Sequence, residues 1–201
     1  MPKNVLNRLS RWGFVYWSPA LYRLTMALLR PRDGRKGMYQ FLAEQIGNQS
    51  VLELCCGDGE LLHWLKGNPY TGMDKNPVFV RSLLSRGHRA ILADVLTTVW
   101  PEADCLVMVD SLYHFMAAIQ PFMKQLMDHP ARTIILSESV EHIALREEPW
   151  LVRFIQWGTR VDGKAFPGRY TEASARRLLD TYRFQRVERI GSNLIGIFKR
   201  S

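Results

Sequence analysis

Residues 51–59 read Val-Leu-Glu-Leu-Cys-Cys-Gly-Asp-Gly. An apolar run that holds one acidic residue and breaks into a turn with two glycines has the pattern of a buried strand ending in a tight bend. The bend is expected to feed a helix through Leu61, Leu62 and Leu65, with Asp58 as its cap. Glycine has no side chain to hold a ligand away, so main-chain N–H groups and a helix N-terminus there can face a small, partly anionic group. Gly57 and Gly59 are the expected seat.

Working outward, the next apolar run, 70–73, ends in Asp74, which lies 21 residues beyond Glu53. That is where the second strand of a βαβ unit ends, and a carboxylate there can accept hydrogen bonds from both hydroxyls of a ribose. A third run, 90–93, ends in Asp94 and Val95, and a fourth, 105–109, ends in Asp110. Four short strands that close on carboxylates at the same end place those groups where open parallel sheets bind ligands, beyond the carboxyl ends of the strands. A dinucleotide fold is the rival. It needs a small residue three positions after the second glycine so that helix and strand pack closely, and this chain has Leu62 there.

The loop and the order of acids resemble class I S-adenosylmethionine-dependent methyltransferases, whose cofactor loop alternates as acid, any residue, Gly, any residue, Gly, any residue, Gly. Glu53, Gly57 and Gly59 match, and Cys55 replaces the first glycine. The resemblance implies that S-adenosylmethionine is the cofactor, held by Glu53, Cys55, Gly57, Gly59, Asp74, Lys75, Asp94, Val95 and Asp110. In that family an acidic or polar residue at the place of Asp94 meets the adenine amino group, while apolar neighbours hold the ring. The implied fold is α/β, a Rossmann-like seven-stranded, mostly parallel sheet with an antiparallel final strand and helices on both faces.

The rest of the chain follows that plan. Apolar positions at Phe79, Val80, Leu83 and Leu84, and again from Phe115 to Met127, have helical spacing. A fifth strand, 133–136, ends at Ser137 and Glu138, and Thr171 with Ser174 predicts a capped helix. Runs 184–190 and 194–198, joined by Gly-Ser-Asn, read as a hairpin. At 201 residues without a linker or repeat, one core is expected: a lid or arm over 1–37 and a cofactor domain over 38–201, with an insertion at about 139–170.

Charge is uneven. The formal net charge is +8; residues 1–37 hold eight Lys/Arg against one acid, 38–145 seven against twelve, and 146–201 twelve against six. The basic first segment also carries Trp12, Phe14, Tyr16, Trp17 and Tyr22. A lid over the cofactor is the preferred reading; peripheral contact with a membrane interface is the second, and nucleic-acid binding the third. Arg8, Arg11 and Arg23 interrupt any apolar stretch at the N-terminus, and three cysteines, two of them adjacent, fit a reducing compartment, so a cytoplasmic protein is expected. No Cys/His spacing suggests a metal site.

A sulfonium is already an activated methyl donor, so methyl transfer mainly needs the acceptor held in line and water kept out. Where a base helps, His114, Glu138 and His142 are the candidates, with His114 and Glu138 preferred. Asp110-Ser-Leu-Tyr113 lacks both prolines of the signature found in exocyclic base-amine methyltransferases, and Leu112-Tyr113-His114 fits the looser pattern of small-molecule enzymes better. Tyr16, Tyr113, His142 and Arg169 are candidates to touch the acceptor: rings suit an apolar or aromatic molecule, and arginine a carboxylate or phosphate on it. The expected activity is methyl transfer to O or N of a small-molecule or lipid-like acceptor. The alternatives are an RNA or DNA base methyltransferase and a protein that binds S-adenosylmethionine without catalysis.

Overall fold

A computed structural model describes residues 13–29, 32–141 and 168–200. Seven strands form one sheet: β1 (Val51–Leu54), β2 (Tyr70–Asp74), β3 (Arg89–Leu92), β4 (Cys105–Val109), β5 (Thr133–Ser139), β6 (Arg186–Ile190) and β7 (Asn193–Lys199). Their spatial order is β3-β2-β1-β4-β5-β7-β6. The pairs among β1 to β5 are parallel, and β7 runs antiparallel between β5 and β6. The order reverses between β1 and β4, and that switch point is where a ligand finds a crevice.

β1, β4 and β5 are buried along their whole length. Alternate residues of these central strands therefore feed two cores. Leu52, Leu54, Leu106, Met108, Ile134 and Leu136 pack with Phe122, Met123 and Leu126 of α4 (Ile119–Asp128) and Leu179 of α5 (Glu172–Thr181). Val51, Val107, Ile135 and Ile195 pack with Met38, Leu42 and Ile46 of α2 (Arg32–Ile46) on the other side. α1 (Pro19–Leu29) follows a 3-10 turn at Phe14–Trp17, and α3 (Pro77–Ser85) joins β2 to β3. Among the described residues no helix is long and apolar enough to cross a membrane. The break expected between 37 and 38 falls inside α2, and β5 runs on through Ser139.

Two expected helices are shorter than their apolar spacing suggests. After β1 the chain makes only a four-residue 3-10 turn, Glu60–His63, because Gly67, with φ of 80°, and Pro69 already lead into β2. After β4, a 3-10 turn over Leu112–Ala118 precedes α4. Pro121 explains the break: its ring clashes with the carbonyl four residues back, so the α-helix starts within the turn just ahead of it. α5 begins as its sequence predicts, the Thr171 hydroxyl accepting from the Ser174 N–H and the Ser174 hydroxyl accepting from the Thr171 N–H. Thr171→Ala removes one of these bonds and is expected to lower unfolding stability by about 1 kcal/mol. Thr171→Ser should leave it nearly unchanged, as read from chemical denaturation midpoints.

Candidate active site

The site forms where the ends of β1, β2 and β3 meet the turn after β1. Register sets Glu53 opposite Gly72, and Tyr70, on the same face of β2, donates its hydroxyl to Glu53 Oε2 at 2.5 Å. A side chain at 72 would stand 2.7 Å from Cys56 Sγ and 3.0 Å from the Tyr70 hydroxyl, so glycine makes the room for this pair. Glu53 is 3% exposed. Burial pushes its carboxyl up to about 8, the Tyr70 hydrogen bond opposing and Asp58, Asp74 and Glu60 adding to the rise.

Cys55, Gly57 and Gly59 all take the left-handed backbone, with φ of 56°, 54° and 75°. Cys55 thus follows glycine's path although it is not glycine, at a strain of roughly 1–2 kcal/mol. The two glycines serve different ends. A Cβ on Gly59 would meet Leu83 Cδ2 at 2.6 Å, so that position is needed for α3 to pack; a Cβ on Gly57 would meet only the Tyr22 ring, 3.9 Å away. Three of the turn's N–H groups are directed inward. Gly57 donates to Asp74 Oδ2 at 2.8 Å, Gly59 to the Cys56 carbonyl at 2.9 Å and Cys56 to the Met73 carbonyl at 3.1 Å. The sequence reading of an anion seat over Gly57 and Gly59 is thereby corrected: only Gly57 offers an open face, its N–H is engaged, and no full helix follows.

Asp74 lies at the centre. Its Oδ1 accepts from the Asn76 N–H at 2.7 Å while Oδ2 accepts from Gly57. Burial pushes its carboxyl up to about 6, these backbone bonds holding it lower than burial alone would. Asp94, at the mouth of the site, accepts from Lys75 Nζ at 2.9 Å and the Leu96 N–H at 3.0 Å. Its partial burial favours a rise, but Lys75 and Leu96 outweigh that and hold it below the usual carboxylate value. Burial pushes the Cys55 thiol well up; Asp74, Asp94 and Glu53 each push it further, and Lys75 opposes them. Val95 contributes to the core, 4% exposed, and its carbonyl accepts from Trp100 Nε1.

Asp58 does not cap a helix. Gly59 is the cap position, and the Asp58 side chain, 5% exposed, pairs with Arg23 of α1 at 3.3 Å. Burial raises its carboxyl, with Arg23 opposing. Asn76, which sequence reasoning missed, caps α3 through Val78 and donates from Nδ2 to the Tyr16 carbonyl at 3.1 Å. Its signal was present as Asn76-Pro77, a capping residue followed by proline at the first helical position. Tyr16 and Tyr22 stack at 5.9 Å, and each meets Phe79 edge-on. The N-terminal elements therefore lie over Gly57 and the end of β2.

The turn after β4 forms a second wall. Tyr113 and His114 have ring centroids 3.9 Å apart, and the Arg169 guanidinium lies 3.8 Å over the Tyr113 ring. Burial pushes the Tyr113 phenol well up; Tyr16 adds to the rise, Arg169 opposes it, and Glu138 and Tyr22 add further. Tyr113 and Arg169 thus come together, Tyr16 packs instead against Tyr22 and Phe79 and acts on Tyr113 electrostatically, and His142 lies outside the described residues. Desolvation and then Arg169 lower the His114 imidazole to about 3. Glu138, 2% exposed, accepts the Leu112 N–H at 2.8 Å and so anchors the turn that carries Tyr113 and His114. Asp110, expected at the cofactor, has φ of 52° and turns toward β7, where Asn193 Nδ2 donates to it at 2.8 Å and to Ser137 Oγ at 3.0 Å.

No family model matches the chain, and no curated protein matches it. Solved structures do. The DhpI-SAM-HEP complex superposes with a TM-score of 0.65 at 15% identity, over 98% of each chain. Magnesium protoporphyrin IX methyltransferase (ChlM) from Synechocystis PCC 6803 with bound SAH gives 0.61 at 16% identity over 85% of each chain. The 16S rRNA methyltransferase RmtF in complex with S-adenosyl-L-homocysteine gives 0.57 at 17% identity, over 84% of this chain and 64% of that one. The chain has the class I S-adenosylmethionine-dependent methyltransferase fold.

The buried Glu53 carboxyl makes stability depend on pH. Between its ordinary value of 4.5 and about 8 the folded chain holds a proton there that the unfolded chain has lost. Stability should therefore fall as pH rises through that window, and the raised Asp74 and Asp58 act in the same direction. Glu53→Gln, which keeps an acceptor for Tyr70 and removes the titration, is expected to flatten this slope in denaturation midpoints measured from pH 5 to 8. An unchanged slope would show that Glu53 is ionised in the fold.

Proposed function

We propose that this chain is a cytoplasmic class I S-adenosylmethionine-dependent methyltransferase acting on O or N of a small-molecule or lipid-like acceptor. The observation that carries the reading is the turn after β1: the N–H groups of Cys56, Gly57 and Gly59 are engaged internally, and the charges of Asp74, Asp94 and Glu53 all act on Cys55 within it. Such a site repels a pyrophosphate, which needs outward N–H groups, and favours a ligand that joins an uncharged ribose to cationic groups.

The residues fit S-adenosylmethionine. Asp74 accepts backbone N–H groups from Gly57, Asn76 and Lys75, and a carboxylate has about four acceptor sites, which leaves one for a ribose hydroxyl. Asp94 is the residue for the adenine amino group, and Gly57 allows close approach. When bound, the cofactor supplies an activated methyl group on a sulfonium. Tyr16, Tyr113 and Arg169 orient the acceptor, and the stacked Tyr16 and Tyr22 exclude water. His114 acts as a neutral ring that accepts a hydrogen bond, since an imidazole lowered to about 3 does not retain a proton at neutral pH.

Trp17 and Leu24, 52% and 57% exposed on the N-terminal elements, support entry of a lipid-like acceptor from a membrane surface. Flotation with phosphatidylglycerol vesicles should fall when Trp17→Ala and Leu24→Glu are combined; flotation unchanged by the pair removes this route.

The cofactor reading is tested by calorimetry with S-adenosylmethionine and S-adenosylhomocysteine. Micromolar binding is expected, weakened at least about tenfold by Asp74→Ala, as loss of a charge-assisted hydrogen bond implies. Affinity should hold above pH 7 and decline as pH falls through about 6, where the Asp74 carboxylate takes up a proton. No binding of either compound, together with no effect of Asp74→Ala, would overturn the assignment.

A further inference from the structure

Asn76, 1% exposed, joins three parts of the molecule. Its N–H donates to Asp74 Oδ1 at 2.7 Å, its Oδ1 accepts from the Val78 N–H at 2.9 Å, and its Nδ2 donates to the Tyr16 carbonyl at 3.1 Å. The first bond reaches the acid at the end of β2, the second caps α3, and the third holds the N-terminal elements. A residue before proline is confined to extended backbone, and Asn76, ahead of Pro77, has φ of −84° and ψ of 113°. The three bonds are therefore made from one stiff position. The side chain cannot move away from Tyr16 without uncapping α3 or shifting the N–H that Asp74 receives.

The aromatic contacts of the N-terminal elements lead back to the same residue. Phe79, which meets the Tyr16 and Tyr22 rings edge-on, lies in the first turn of α3, whose start Asn76 sets. The other attachment, Arg23 to Asp58, is half-exposed on its arginine side and contributes less. We infer that Asn76 is a positioning residue that links occupancy of Asp74 to the order of the N-terminal elements, so that an adenosyl ligand on the acid and the cover over it each favour the other. This rests on the methyl-transfer reading above. A ribose hydroxyl on Asp74 fixes the carboxylate in the orientation that receives the Asn76 N–H, and that bond fixes Nδ2 against Tyr16. Such linkage is reciprocal: the factor by which the ligand steadies the cover is the factor by which the cover raises affinity for the ligand.

The test is hydrogen-deuterium exchange of the full chain with and without S-adenosylhomocysteine, alongside calorimetry. The ligand is expected to slow exchange over residues 16–25. Asn76→Ser and Asn76→Asp should each remove that slowing and weaken S-adenosylhomocysteine about fivefold, as loss of one buried hydrogen bond implies. Serine, aspartate and asparagine are near-equal helix caps, and all three keep the backbone N–H for Asp74, but neither replacement has an amide donor for Tyr16. A role confined to capping α3 would therefore leave both variants like the parent chain. In the ligand-free chain, Asp74→Ala is expected to speed exchange over 16–25 as Asn76→Ser does, with β4 and β5 unchanged. The inference is overturned if the ligand binds without slowing exchange there, if either Asn76 variant keeps both the slowing and the affinity, or if Asp74→Ala leaves that segment unmoved. No binding of S-adenosylhomocysteine to the parent chain would instead sink the methyltransferase reading, and the ligand-free arm still decides whether Asp74 and the N-terminal elements are linked.

Discussion

A buried carboxylate cannot stay unpaired, and at Asp74 that constraint organises the site. Its two oxygens accept the N–H groups of Gly57 and Asn76, one on each side of the crevice. The first bond draws the turn after β1 against the end of β2, which requires the left-handed backbone at Cys55, Gly57 and Gly59. The second sets Asn76, whose side-chain oxygen then caps α3 while its amide nitrogen reaches the Tyr16 carbonyl. Turn, helix and N-terminal cover are all referred to one acid. The Lys75 backbone adds a third bond, so most of the acceptor capacity of this carboxylate holds the fold together.

The electrostatic character of the crevice follows from the same bonds. With the Cys56, Gly57 and Gly59 N–H groups directed inward, the charged side chains of this end are Glu53, Asp74 and Asp94 with Lys75 among them, and burial raises Glu53 and Asp74. Raised carboxyls are partly protonated near neutral pH, so the site is not as negative as its composition suggests. A cation entering it lowers those values and draws out charge, so binding a sulfonium and an ammonium there would release protons. Twelve acids against seven bases over residues 38–145 is the sequence-level trace of this local chemistry, set within a chain whose ends are basic.

Much of this was legible in the sequence, because strands buried on both faces write continuous apolar runs and their acidic ends stand out. β4 was read residue for residue, and the antiparallel β7 followed from the Gly-Ser-Asn link. What failed was helix length, since Pro121 and the short span between Gly59 and Tyr70 break an apolar period that looks continuous on paper. Asp58 read as a cap because its partner, Arg23, lies 35 positions away on α1. The Glu53–Tyr70 bond was equally hidden: it depends on the strand register that puts Gly72 opposite Glu53, and no local pattern encodes register. Asp110 misled for a similar reason, its left-handed backbone turning the side chain toward Asn193, 83 positions on.

The cover formed by the N-terminal elements couples the two halves of the site. Tyr22 lies over Gly57, and Tyr16 and Tyr22 both bear electrostatically on Tyr113 of the turn after β4. The cover's attachment through Arg23 and Asp58 is asymmetric: Arg23 is 47% exposed and Asp58 5%. An exposed ion pair contributes little by itself, about 0–1 kcal/mol. Separating this one returns the guanidinium to water at small cost but leaves Asp58 buried with Arg86 as its remaining counter-charge, and its carboxyl is already raised by that burial. The cost of opening thus falls on the carboxylate side, and any cation that replaces Arg23 near Asp58 lowers it.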